Sequence, residues 1–102
     1  MTKLKNISED QLDLMHVIQR DSNASQRLIA QKTGFSLGKV NYCLKALVDI
    51  GLIKINNFHQ SNHKLNYVYI LTPKGIQEKT IITQQFIIKK KQEYDKLNSY
   101  ID

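Results

Sequence analysis

Residues 25–53 read SQRLIAQKTGFSLGKVNYCLKALVDIGLI, and the order of signals within this run decides the fold. Ser25 is a helix cap, and Leu28, Ile29 and Ala30 carry a short helix to about Thr33. Gly34 stands where a left-handed residue ends a helix, and Ser36 caps the next one. In that next helix Val40, Cys43, Leu44, Leu47 and Val48 recur at three- and four-residue spacings and define a buried stripe. The opposite stripe is Leu37, Gly38, Asn41, Tyr42 and Lys45, and Gly51 closes the helix. A strand candidate, Leu52 to Ile55, follows directly. Two short helices about a glycine turn, then a strand, form the frame of a winged helix-turn-helix, which lays its second helix in the DNA major groove.

The flanks extend this frame. Ser8 and Gln11 form a capping box, Ile7 and Leu12 a hydrophobic staple, and Glu9 and Asp10 suit the positive end of a helix dipole. That first helix runs to about Arg20, with Leu14, Val17 and Ile18 widening its apolar face. A second strand candidate is Leu65 to Leu71, where Tyr67, Val68, Tyr69 and Ile70 favour a pleated surface. The polar run NNFHQSNHK, residues 56–64, joins the strands and is long for a hairpin loop. Thr72 caps a last helix with Pro73 at its first position. No breaker follows until about Asn98, giving roughly 39 Å of helix at 1.5 Å per residue. The expected fold is mainly α with a small β-hairpin wing. Residues 1–76 form the winged helix-turn-helix DNA-binding domain and 73–98 a C-terminal dimerisation helix, in one structural domain.

At 102 residues the chain has room for one modest core, and five Tyr, three Phe and 41% apolar residues argue for a folded protein. The formal net charge is +6. All of it falls on residues 22–77, where Arg27, Lys32, Lys39, Lys45, Lys54, Lys64 and Lys74 face a single acid, Asp49. The two flanks carry −1 and +1. Such segregation suits a polyanion binder. The N-terminus MTKLKNISED has no long apolar run, and the cluster from Ile81 to Ile88 is broken by Thr83, Gln84 and Gln85. The expectation is therefore a cytoplasmic chain with neither a signal peptide nor a membrane span. The lone Cys43 cannot form an internal disulfide, lies on the apolar stripe and reads as a small core residue.

Candidate DNA contacts follow from side-chain chemistry. Asn41 suits an adenine edge and Lys45 a guanine or a phosphate; Tyr42 lies beside them. Leu37 is placed to meet a thymine methyl, and Gly38 permits close backbone approach. Ser25, Gln26, Arg27, Ser36 and Lys39 sit at helix starts and suit phosphates. In the wing, His63 and Lys64 lead, ahead of Asn56, Asn57, His59 and Asn62. No paired nucleophile and base, no phosphate loop and no metal-ligand spacing appears, so no catalytic role, cofactor or metal is expected.

In the last helix, positions 76, 80, 83, 87, 90, 94, 97 and 101 alternate four and three apart, as a coiled-coil seam does, although two Thr and a Lys interrupt it. Ile81, Ile82, Phe86 and Ile88 add apolar surface on the neighbouring face. Ile81, Phe86, Ile87, Tyr94 and Leu97 are the residues assigned to a subunit contact.

The residues Ser25–Ala30, Gly34, Ser36-Leu37-Gly38-Lys39-Val40, Leu44, Leu47, Gly51-Leu52-Ile53 and Leu71-Thr72-Pro73-Lys74-Gly75 together resemble the MarR family of bacterial transcriptional regulators. The run SLGKVNYCLKALVDIGLIKI, with the spacing from His63-Lys64 to Ile76, is most similar to its small exopolysaccharide-associated branch. The resemblance covers about residues 8–97. It implies a homodimer on a pseudo-palindromic operator in double-stranded DNA, with the third helix in the major groove and the wing near the minor groove. The further helices that frame the effector pocket of longer members have no counterpart here, so no small-molecule effector is assigned. The expected function is a dimeric, sequence-specific transcriptional repressor, which the branch resemblance links to exopolysaccharide genes. The alternative is a winged-helix module for protein–protein interaction without sequence-specific DNA binding. An RNA-binding winged helix ranks third, because aromatics do not cluster on the basic face.

Overall fold

A computed structural model describes residues 7–60 and 62–101. Residues 1–6, which open the expected 1–76 domain, lie outside this description with Ser61 and Asp102. The order of elements is α1 (Glu9–Arg20), α2 (Gln26–Thr33), α3 (Leu37–Asp49), β1 (Ile53–Ile55), β2 (Tyr69–Leu71) and α4 (Pro73–Asn98).

Local chemistry sets the helix boundaries. Ser8 Oγ accepts the Gln11 N–H at 3.1 Å while the Gln11 side chain accepts the Ser8 N–H at 2.9 Å, so the capping box closes in both directions. Ser25, Ser36 and Thr72 cap α2, α3 and α4 through the amides of Leu28, Lys39 and Gly75. Gly34 ends α2 at φ +80° with its N–H on the Ala30 carbonyl. The cap of α3 is Ile50, and Gly51 follows it at φ +79°.

Leu14, Met15 and Ile18 of α1 meet Ile29 of α2, Val40, Leu44 and Leu47 of α3, Leu52, Ile53, Tyr69 and Leu71, and Ile82 of α4 in one buried cluster. Val48, expected in the buried stripe, is exposed at the edge of α3. The hairpin is antiparallel, pairing Ile53 with Leu71, Lys54 with Ile70 and Ile55 with Tyr69. Its second strand is shorter than expected, because residues 64–66 coil into a 3-10 turn and Val68 bridges instead to Ser25. The Asn57 side chain accounts for this: it donates to the Asn66 carbonyl at 3.0 Å and accepts the Val68 N–H at 2.7 Å. One amide thus satisfies backbone groups that a longer ladder would have paired.

The first turn of α4 is clamped to the turn after α3. Thr72 Oγ1 donates to the Gly51 carbonyl at 2.6 Å, the Thr72 N–H to the Leu52 carbonyl at 3.0 Å, and Lys74 Nζ to the Ile50 carbonyl at 3.2 Å. Further along α4, Lys79 Nζ reaches Gln19 Oε1 at 2.6 Å and His16 Nδ1 at 2.9 Å, tying α4 to α1. Desolvation there, with Arg20 nearby, pushes the Lys79 ammonium below its usual pKa.

Gly75 is buried in the clamp, and a Cβ there would overlap the Leu52 carbonyl oxygen. Gly75→Ala should therefore destabilise by about 1–3 kcal/mol, despite the better helix propensity of Ala. The expected outcome is a fall of several degrees in thermal midpoint. A rise would mean that the backbone yields there without cost.

Candidate nucleic-acid interface

The turn between α2 and α3 is built from its own side chains. Thr33 Oγ1 donates to the Ile29 carbonyl at 2.8 Å and accepts the Phe35 N–H at 3.2 Å, which leads the chain to the Ser36 cap. The start of α2 is stitched to the hairpin, since the Tyr69 N–H donates to the Ala24 carbonyl at 2.9 Å. Helix α3, its preceding turn and the hairpin therefore form one framework.

On α3, Leu37, Gly38, Lys39, Tyr42 and Lys45 are exposed and Asn41 is half-buried. Tyr42 is 74% exposed and has no aromatic neighbour among the described residues, unlike Phe58, which meets Tyr67. A cleft of about 140 Å³ separates α3 from the hairpin. Asn41, Leu44, Lys45, Val48 and Asp49 line its helix side, and Ile55, Lys64 and Tyr69 its hairpin side. Lys45 and Lys64, which belong to separate elements in the sequence, thus share one groove.

The other candidates divide. Arg27, Ser36 and His63 are exposed and Ser25 is half-buried while it caps α2. Gln26 is a correction. Expected at a phosphate, it is 4% exposed, and its Nε2 donates to the Leu37 carbonyl at 3.3 Å. The amide holds the first turn of α3 against α2 and does not face a ligand. Asn57 is occupied as the loop clasp. Lys39 is exposed but engaged: its Nζ lies 2.6 Å from Asp10 Oδ2 and 4.2 Å from the centre of the Phe35 ring. In the sequence Asp10 signals only a partner for the helix dipole. Its pairing with Lys39 joins residues of different helices and leaves no mark in the spacing. Cys43 is buried, and desolvation raises its thiol pKa, as suits a core residue.

The residues expected to form a subunit contact differ in exposure. Phe86 is half-buried against the domain's own core, whereas Ile81, Ile87, Tyr94 and Leu97 are exposed. Among the described residues no cluster of His, Cys, Asp or Glu could hold a metal ion, and no helix is long and apolar enough to cross a membrane.

A family model described as winged helix-turn-helix DNA-binding matches residues 11–54, which span α1 to β1. The chain has a winged helix-turn-helix fold. Its structure is similar to that of Staphylococcus aureus MarR in complex with salicylate and kanamycin, at a TM-score of 0.73 and 22% identity. That match covers 90% of this chain and 60% of the other. A MarR/EmrR family transcriptional regulator from Acinetobacter sp. ADP1 matches at 0.69 and 20% identity, covering 87% and 61%. A variant of S. aureus MepR bound to an oligodeoxyribonucleotide matches at 0.67 and 19% identity, covering 89% and 66%. The winged-helix chain therefore spans about three-fifths of the length of the first of these proteins. No curated protein matches it in sequence.

The placement of Gln26 gives a direct test. Gln26→Ala should lower stability by roughly 1–3 kcal/mol, because it leaves a cavity and strips a bond from the Leu37 carbonyl. Thermal or urea unfolding measures this. An unchanged midpoint would return Gln26 to the surface role.

Proposed function

We propose that the chain is a MarR-type, sequence-specific DNA-binding transcriptional regulator that acts as a homodimer on a pseudo-palindromic operator and represses by occupying it. The observation that carries this reading is the shared groove, where Asn41 and Lys45 of α3 and Lys64 of the wing face one cleft. It lies within the segment that holds the whole net positive charge. A major groove admits a helix, and Asn and Lys are suited to adenine and guanine edges there. Lys64, Arg27 and the helix starts supply phosphate contacts that fix register. In this reading the protein works in the cytoplasm, and the sequence resemblance puts exopolysaccharide genes among its targets.

Purified protein should enrich discrete genomic fragments, and log affinity for them should fall linearly with log salt, by about 0.9 per phosphate neutralised. Tyr42→Ala and Lys45→Ala should each weaken operator binding by about 1–3 kcal/mol for every base edge the side chain reads. Melting should change little, because both side chains are exposed. Binding that ignores salt and both substitutions would favour the protein-interaction alternative.

The dimer is supported by α4. On the seam that starts at Ile76, the residues Ile87, Tyr94, Leu97 and Ile101 are exposed, so the domain itself leaves this stripe uncovered. Two linked reading helices bind a palindromic site far more tightly than one. Ile87→Asp combined with Leu97→Asp should halve the mass by light scattering and lower operator affinity by at least tenfold, while the core stays intact. A wild-type monomer that binds one copy per site would overturn the dimer.

A further inference from the structure

The first turn of α1 contributes to the surface that α3 presents. Asp10 Oδ2 lies 2.6 Å from Lys39 Nζ, and both side chains are nearly half exposed. Lys39 is in the first turn of α3, where the Ser36 hydroxyl accepts its amide, and its ammonium lies over Phe35. An open cleft of about 340 Å³ is lined by Ser8, Asp10 and Gln11 of the α1 start and by Lys39, Tyr42 and Cys43 of α3. The Asp10 carboxylate therefore borders the same solvent-exposed face as Tyr42. Resting on the DNA-binding reading above, we propose that Asp10 is an affinity-limiting counter-charge for α3. It occupies the Lys39 ammonium in the free protein and must give it up before Lys39 can neutralise a phosphate.

The magnitudes make the exchange feasible. An exposed ion pair is weak, so a phosphate competes with Asp10 for the ammonium. The exchange leaves the carboxylate unpaired beside the DNA backbone, where like charges repel and a solution cation is drawn to it. That uptake cancels the counterion released at the phosphate, so Lys39 adds affinity without adding to the salt dependence. Removing the carboxylate should raise the affinity and restore the salt dependence.

A neighbouring residue supplies the control. Glu9, in the same turn, pairs with Lys90 of α4 at 3.0 Å and does not line the cleft. Glu9→Gln changes net charge and helix dipole as Asp10→Asn does, without touching Lys39. Fluorescence anisotropy on operator duplex, across a salt series, should show Asp10→Asn binding roughly two- to fivefold more tightly. Its log–log salt slope should steepen by about one. Glu9→Gln should stay near wild type, and Asp10→Asn should have no effect in a Lys39→Ala background. Thermal melting of each variant confirms that it is folded. Equal gains from Asp10→Asn and Glu9→Gln, or a gain that survives Lys39→Ala, would overturn the counter-charge. A wild-type protein that fails to bind any duplex would instead overturn the DNA-binding reading beneath it.

Discussion

The close approach of Gly75 to the Leu52 carbonyl governs how the rest of the molecule is arranged. Leu52 ends the turn that follows α3, and Gly75 lies in the first turn of α4, so their contact joins α3 to the long helix. Thr72 and Lys74 bond the carbonyls of Ile50, Gly51 and Leu52 across the same joint. These carbonyls belong to the cap of α3 and the turn after it. The start of one helix thereby satisfies the turn that leaves another. With the joint closed, Leu52, Ile53 and Leu71 are pressed into the core and the hairpin register is set.

Much of this is legible in the sequence because the signals are short-range. The pairs Ser8 with Gln11, Ser25 with Leu28, Ser36 with Lys39 and Thr72 with Gly75 are all three residues apart, and each cap forms. The apolar periodicity of α3 locates Val40, Cys43, Leu44 and Leu47 in the core. The features that escape the sequence all depend on contacts distant along the chain. Gln26 is buried because α3 crosses above it, eleven residues on, and nothing within α2 marks that. The strand after Leu65 gives way to the Asn57 clasp across the loop. Phe86 carries the same apolar signal as Ile87, and only the position of the core relative to α4 decides which of the two is covered.

Charge follows a different logic from packing in this fold. The acids are concentrated outside the segment that holds α2, α3 and the wing, yet the fold returns one of them, Asp10, to its edge. Glu9 and Asp10 sit side by side in the first turn of α1 and bind lysines from α4 and α3 respectively. One helix start thus touches both α3 and the long helix. Surface pairs of this kind add little to stability, and their effect falls on which partner each lysine is free to meet.

From Ile87 to Ile101 every side chain is exposed, so the helical turns from Ile87 to Asn98 rest on backbone bonds, propensity and the weak surface pairs Glu9–Lys90 and Lys91–Asp95. An isolated helix of that length is marginal in water. In the dimer reading its helix–coil equilibrium is therefore linked to association. Ordering these turns opposes assembly entropically, and assembly in turn stabilises them. The helical content of a dilute solution would then depend on protein concentration, and far-ultraviolet circular dichroism becomes a gauge of subunit exchange.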